Sequence, residues 1–105
     1  MVKKLLFITF LCFTTAVFSQ KTLQKLSAAP NPFFSSTTIK FNATKNQPTF
    51  FVVKNLLGKT VFSKAYSAKT GINTIVFNRN NLQSGMYIYA IRSRNEIISK
   101  RFVIK

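Results

Sequence analysis

The sequence predicts an all-β protein: a small antiparallel β-sandwich of about six or seven strands behind an N-terminal signal peptide. Short runs rich in β-branched and aromatic residues recur along the chain, separated by turn-forming residues at intervals of about ten. After the first twenty residues, no stretch shows the sustained periodicity of an amphipathic helix. Together these observations are typical of a single sandwich domain.

The N-terminus has the features of a cleavable secretory signal. Lysines at positions 3 and 4 form a short basic region, and residues 5–17 (LLFITFLCFTTAV) form an apolar run of the length that such signals use. Val17 and Ser19 suit the −3 and −1 positions of a cleavage site. We therefore predict cleavage between Ser19 and Gln20.

A membrane anchor is the alternative interpretation of the same segment. Spanning a bilayer takes about 20 apolar residues, whereas this run is shorter and is soon followed by Lys21 and Lys25. We expect no transmembrane segment in the mature chain. The predicted organisation is a signal peptide at 1–19, a short linker at 20–29 and a folded domain at 30–105.

The first three predicted strands follow from alternation and turn chemistry. Residues 37–41 (TTIKF) alternate between two faces, and residues 49–54 (TFFVVK) are apolar on both faces, which is typical of a central strand. The intervening segment (NATKNQP) is a polar loop. Gly58 can adopt a positive φ in the tight connection NLLGK, after which residues 61–66 resume as a strand.

The last three predicted strands are bounded in the same way. A glycine-containing turn precedes residues 72–77 (INTIVF), and the polar loop NRNN separates them from residues 86–92 (MYIYAIR). A short turn (SRN) then forms a hairpin with residues 97–104. Residues 21–26 are a candidate seventh strand.

The domain has to be held together by its core. The sequence has one cysteine, Cys12, which lies within the predicted signal, so residues 20–105 contain none that could form a disulfide. Large aromatic side chains bury much apolar area in a small domain. The predicted core aromatics are Phe33, Phe34, Phe41, Phe50, Phe51, Phe62, Phe77, Phe102, Tyr66, Tyr87 and Tyr89.

The chain is strongly basic. It contains 16 Lys and Arg against a single acid, and removal of the two lysines in the signal leaves 14 and a net charge of +13. Such a surface attracts anionic polymers, including lipopolysaccharide. The basic residues are spread over nearly every strand and loop, however, which is typical of a solvated outer face rather than a nucleic-acid platform. We therefore expect no specific nucleic-acid partner and keep adhesion to anionic surface polymers as an alternative function.

The sequence lacks most of the side chains that enzymes use in catalysis. The sequence has no His and no Asp, and Glu96 is its single carboxylate side chain, which excludes paired-carboxylate catalysis and the usual metal sites. Two adjacent Ser–Lys pairs, 63–64 and 99–100, lie on predicted strands, where neighbouring side chains point to opposite faces. We predict no enzyme activity, cofactor or metal. Glu96, beside a hairpin turn, is interpreted as solvated.

Five short motifs occur in order between residue 30 and the C-terminus. They are Pro30-Asn31-Pro32-Phe33 before the first predicted strand, VKNLLGKTV with Gly58 and Lys59, Gly71-Ile72-Asn73, LQSGMY with Gly85 and Tyr87, and SKRFVIK with Lys100, Phe102 and Ile104. In order and spacing they resemble the type A C-terminal sorting domain of the type IX secretion system, found on exported proteins of the Bacteroidetes.

The resemblance implies an immunoglobulin-like or fibronectin-like sandwich that serves as an address. Such a domain, delivered to the periplasm by the general secretory pathway, is read by an outer-membrane translocon, and the protein is then secreted or held at the cell surface. A surface sortase usually removes the domain, and the cargo can be joined to lipopolysaccharide. Gly85, Tyr87, Lys100, Phe102 and Ile104 are candidate recognition residues, although each also suits a structural role. Because residues 20–29 are too few to fold alone, we expect a module without folded cargo, either its own product or a gene remnant.

Overall fold

The computed structural model describes residues 21–105, so the predicted signal peptide and the cleavage site at Ser19 and Gln20 lie outside the described residues. The described part of the chain contains seven strands and no helix. The strands are β1 (Leu23–Ala29), β2 (Ser36–Ala43), β3 (Gln47–Asn55), β4 (Thr60–Ala68), β5 (Gly71–Asn78), β6 (Gly85–Arg92) and β7 (Ile97–Ile104).

The strands form two antiparallel sheets, one with the order β1-β2-β5 and the other with the order β4-β3-β6-β7. The chain changes sheet between β2 and β3, between β4 and β5, and between β5 and β6. This three-plus-four arrangement is an immunoglobulin-like sandwich. The predicted all-β fold is therefore confirmed, and each of the six predicted strands lies within one of the strands β2 to β7.

The candidate seventh strand at residues 21–26 corresponds to β1 (Leu23–Ala29), which occupies most of the segment 20–29 that was expected to be a short linker. Leu23 and Leu26 are both buried although they are three residues apart. An irregularity in the pairing with β2 lies between Gln24 and Ser27, and Lys25 has a φ of 57° within it. A bulge of this kind brings both leucines to the core, which explains why simple alternation does not define the bounds of this strand.

The core between the sheets is organised around Phe102, which is fully buried. Its ring stacks on Tyr89 with 5.0 Å between centroids, and on Phe77 at 5.6 Å. Phe33 meets it edge-on at 5.1 Å. Such aromatic pairs contribute stability beyond their buried area. The last strand and the segment before β2 therefore share one aromatic cluster.

Two of the predicted core aromatics are instead exposed. Phe34 is 68% exposed and Phe50 is 44% exposed. Phe50 precedes buried Phe51 in β3, and successive side chains of a strand point to opposite faces. Phe34 likewise follows buried Phe33 in the irregular segment before β2.

Candidate functional site

Connecting segments that are distant in sequence meet at one end of the sandwich. In β6, Tyr87 is paired with Asn55, which precedes the turn between β3 and β4, and Gly85 is paired with Ile104 near the end of β7. Phe33 forms an isolated parallel bridge with Ile104. We call this region the motif end and define it as residues 30–35, 56–59, 79–85 and 103–105.

The Pro-Asn-Pro-Phe segment is bound to the edge of β7. The Oδ1 atom of Asn31 accepts a hydrogen bond from the Val103 N–H at 2.9 Å, and its Nδ2 donates to the Arg101 carbonyl at 3.2 Å. Phe33 continues this pairing, because its N–H donates to the Val103 carbonyl at 3.0 Å and its carbonyl accepts from the Lys105 N–H at 2.8 Å. The first and last family motifs therefore form one structural unit.

Arg79 joins three parts of the motif end. Its Nη1 donates to the backbone carbonyls of Phe34 at 3.1 Å and Lys105 at 2.6 Å. Its Nε and Nη2 donate to the Leu82 carbonyl at 3.2 and 2.9 Å, and Nη2 also reaches the Ser84 Oγ at 3.3 Å. A guanidinium suits this role because it presents several donors in a rigid plane.

The LQSGMY motif forms the turn that enters β6. The Tyr87 hydroxyl donates to the Gln83 carbonyl at 2.8 Å, a back-bond of the kind called a tyrosine corner in immunoglobulin-like sandwiches. Gly85, two residues earlier, has a φ of +147°, which a residue with a side chain rarely adopts. Both residues therefore have a local structural role in shaping this turn.

The turn with Gly58 and Lys59 is organised by Asn55. The Asn55 Oδ1 accepts from the N–H groups of Leu57 and Lys59, each at 3.0 Å. The Asn55 carbonyl also accepts from the Gly58 N–H at 3.0 Å, and Gly58 has a φ of +89°. A side-chain oxygen that caps a turn in this way is typical of Asn and Asp.

The remaining family motif lies at the opposite end of the sandwich. Gly71 is paired with Ala43 at the far end of the three-stranded sheet. Asn73 is buried there, where its Nδ2 donates to the carbonyls of Lys69 at 2.8 Å and Gly71 at 3.1 Å, and its Oδ1 accepts from the Lys69 N–H at 2.9 Å. The Gly-Ile-Asn motif therefore supports its own turn and is not part of the motif end.

Glu96 also lies away from the motif end, and it is not simply solvated as predicted. Its carboxylate accepts hydrogen bonds from the Thr22 hydroxyl and N–H and from the Leu23 N–H. Partial burial acts to raise the pKa of Glu96, but these hydrogen bonds and the charge of Lys45 lower that pKa below its ordinary value. The single acidic side chain of the sequence thus ties the start of β1 to the hairpin between β6 and β7.

The five candidate recognition residues differ in accessibility. Phe102 and Ile104 are almost completely buried and Tyr87 is 7% exposed, so their side chains contribute to packing. Lys100 and Gly85 are exposed. Only these last two can contact a partner without a conformational change.

The structural roles of two side chains, Arg79 and Glu96, were not predicted from the sequence. Arg79 lies in the polar loop NRNN, where its sequence context is that of an ordinary surface residue. Glu96 lies beside a predicted turn, a position that is usually solvated. Their partners are between 3 and 74 residues away in sequence. The sequence feature that distinguishes Glu96 is that it is the single acidic residue of a basic chain.

Two kinds of feature are absent from the described residues. Residues 21–105 contain no group of three or more His, Cys, Asp or Glu side chains that could hold a metal ion. Within the same range, no helix is long and apolar enough to cross a membrane. At the motif end, strand pairing and the hydrogen bonds of Asn31 and Arg79 bring together segments that are distant in sequence.

The fold defines a class of protein, the small immunoglobulin-like β-sandwich domains. The sequence model of the family described as the secretion system C-terminal sorting domain matches residues 27–105. The chain belongs to this family of type IX secretion sorting domains. Membership implies interaction with the type IX secretion machinery. A search of curated proteins finds no match to the chain.

Proposed function

We propose that the sandwich is a non-catalytic address that directs the chain across the outer membrane, to the medium or the cell surface. The family match over residues 27–105 carries this proposal. It is supported by the motif end, where four of the five family motifs converge and the Pro-Asn-Pro segment is bonded to β7.

The partner in this proposal is the outer-membrane translocon, which binds the motif end after the general secretory pathway has delivered the chain to the periplasm. Cleavage between Ser19 and Gln20 precedes this step. The direct contacts are made by the backbone around Gly85 in the motif end and by Lys100 on the adjoining part of β7, because both are accessible. Tyr87, Phe102 and Ile104 act by holding that surface in shape, since they are buried. A surface sortase and lipopolysaccharide attachment complete the proposed route.

The test is a reporter fusion in a Bacteroidetes host. A signal peptide and a fluorescent cargo are placed before residues 20–105, and cargo is measured outside the cell in strains with and without an intact translocon. We expect external cargo only in the intact strain. The same cargo without the domain is the control. Equal distribution in both strains would contradict the proposal.

A second candidate function is adhesion to anionic surface polymers. It is favoured by the accessibility of the basic side chains, all of which are exposed in residues 21–105 except Lys54 and Arg79. Charge attraction of this kind weakens steeply with salt. Purified domain should therefore bind lipopolysaccharide at low ionic strength and release it at high ionic strength. An absence of salt-sensitive binding would count against this function.

A further inference from the structure

Two leucines protrude from the turn between β3 and β4. Leu57 is 94% exposed and Leu56 is 61% exposed. The turn does not depend on their side chains, because its hydrogen bonds come from the Asn55 carboxamide and from backbone groups. Turn positions normally carry polar or glycine residues, so a pair of adjacent exposed leucines at a turn tip is unusual.

A third large apolar side chain lies at the same end. Phe34, at 68% exposed, follows the segment bonded to β7. The Nζ atom of Lys105 lies 5.1 Å from the centre of its ring. The pairing of Asn55 with Tyr87 and of Phe33 with Ile104 brings both apolar tips to the motif end.

The charged side chains around these tips are positive. Lys59 follows Leu57 within the turn, and Lys105 lies over Phe34. The single acidic side chain, Glu96, is bonded to Thr22 at the opposite end of the sandwich. Apolar tips among cations complement an anionic surface with an apolar interior, which is the character of a bilayer rich in acidic lipids.

Exposure and charge at the motif end favour a lipid surface over a second copy of the chain. Leu56 and Leu57 are exposed at the tip of a turn. The basic side chains extend over both sheets, with Lys40 on β2 and Arg101 on β7. Such spread charge complements a membrane, whose negative charge is distributed over its whole surface. A second copy carries the same positive charge and is repelled.

We propose that the motif end docks on anionic phospholipid bilayers. Leu56, Leu57 and Phe34 insert at the boundary between headgroups and acyl chains, while Lys59 and Lys105 contact lipid phosphates. The general positive charge draws the domain to the membrane, and the apolar tips set its orientation. This function goes beyond sorting and does not depend on it.

The test measures partition of purified residues 21–105, which contain all seven strands and the described core, onto lipid vesicles. The vesicles are phosphatidylcholine with or without phosphatidylglycerol. The test variant is Leu56→Ser/Leu57→Ser, and the matched control is Ile72→Thr/Val76→Thr, at residues 79% and 65% exposed on the outer face of the three-stranded sheet. We expect binding to acidic vesicles only, a loss of about tenfold or more in the leucine variant, and little change in the control.

A second readout uses the absence of tryptophan from the sequence. Leu57→Trp introduces a single tryptophan at a position that is 94% exposed, and excitation at its red edge avoids the tyrosines. Its emission should shift to the blue on acidic vesicles and revert when salt is raised. Unshifted emission, or equal partition of the leucine variant and the parent, would overturn the proposal.

The reporter fusion separates this inference from the sorting function. If the leucine variant loses export while its vesicle binding equals that of the parent, the leucines contact a protein receptor and the bilayer proposal is overturned. If the vesicle binding of the leucine variant falls as expected, the bilayer proposal stands, whether or not export of the fusion depends on the translocon.

Discussion

Asn31 and Val103 lie 72 residues apart in sequence, yet the Asn31 Oδ1 accepts the Val103 N–H at 2.9 Å. The same carboxamide donates to the Arg101 carbonyl, so one side chain substitutes for a neighbouring strand along the edge of β7. An unpaired edge is open to other chains. The family motif at the start of the domain therefore covers and fixes the strand at its end.

Loss of this side chain should loosen the motif end. We predict that Asn31→Ala lowers the free energy of unfolding by about 1 kcal/mol, because two hydrogen bonds are removed at a site where water can partly replace them. Denaturant titration of residues 21–105 measures this. Asn81→Ala, at an exposed position of the same end, is the control and should change it little. Equal effects of the two variants would show that the Asn31 bonds contribute nothing specific.

The contribution of the Tyr87 hydroxyl to stability can be tested by removing that one oxygen atom. Tyr87→Phe keeps the ring in the core and deletes the bond to the Gln83 carbonyl, so we predict a loss of about 1 kcal/mol in the free energy of unfolding. Tyr89→Phe is the matched control at a buried tyrosine of the same strand, where we expect a smaller loss. The same denaturant titration compares the two, and a larger loss for Tyr89→Phe would contradict the tyrosine-corner interpretation.

Substitutions at Phe102 and Lys100 should distinguish an effect on the stability of the fold from an effect on recognition. Phe102→Ala removes the centre of the aromatic cluster and should cost about 3–5 kcal/mol, a large fraction of the stability of a small domain. Lys100→Gln, at an exposed position, should change stability by less than about 0.5 kcal/mol. Thermal unfolding followed by circular dichroism measures both effects. A marked loss of export by the folded Lys100→Gln protein would identify Lys100 as a contact residue, and unchanged export would remove it from that role.

Glu96 should make stability sensitive to acid. Because the folded-state pKa of Glu96 lies below its ordinary value of 4.5, its contribution is present above that value and is lost as the pH falls through the lower folded-state pKa. We predict that the unfolding midpoint of the parent falls as the pH is lowered from about 5. In Glu96→Gln this fall should be smaller, since the titrating group is absent. Parallel pH profiles for the two proteins would contradict the prediction.

The fold was largely predictable because alternation and turn residues mark β2 to β7. The strand β1 was predicted only as a candidate at residues 21–26, because its bulge at Lys25 places Leu23 and Leu26 on the core side against the period of two. Phe34 and Phe50 were misassigned because composition identifies aromatic residues without specifying the face on which each one lies.

The motif end was predictable only in its parts. The motifs with Asn31, Gly85 and Lys100 could be located, but the contact between the first and last motifs depends on which strand edges meet. Arg79 illustrates the limit, because all but one of its partners are backbone carbonyls. Any residue type supplies these, so no sequence pattern marks them.

The most direct measurement is the fraction of fluorescent cargo outside the cell when residues 20–105 are fused to it, in paired strains that differ in the translocon. A retained periplasmic marker corrects for lysis. We predict that cargo leaves the intact strain and stays in the periplasm of the deficient strain, and that the Ile72→Thr/Val76→Thr domain behaves like the parent. The same external fraction in both strains would contradict a role in type IX sorting.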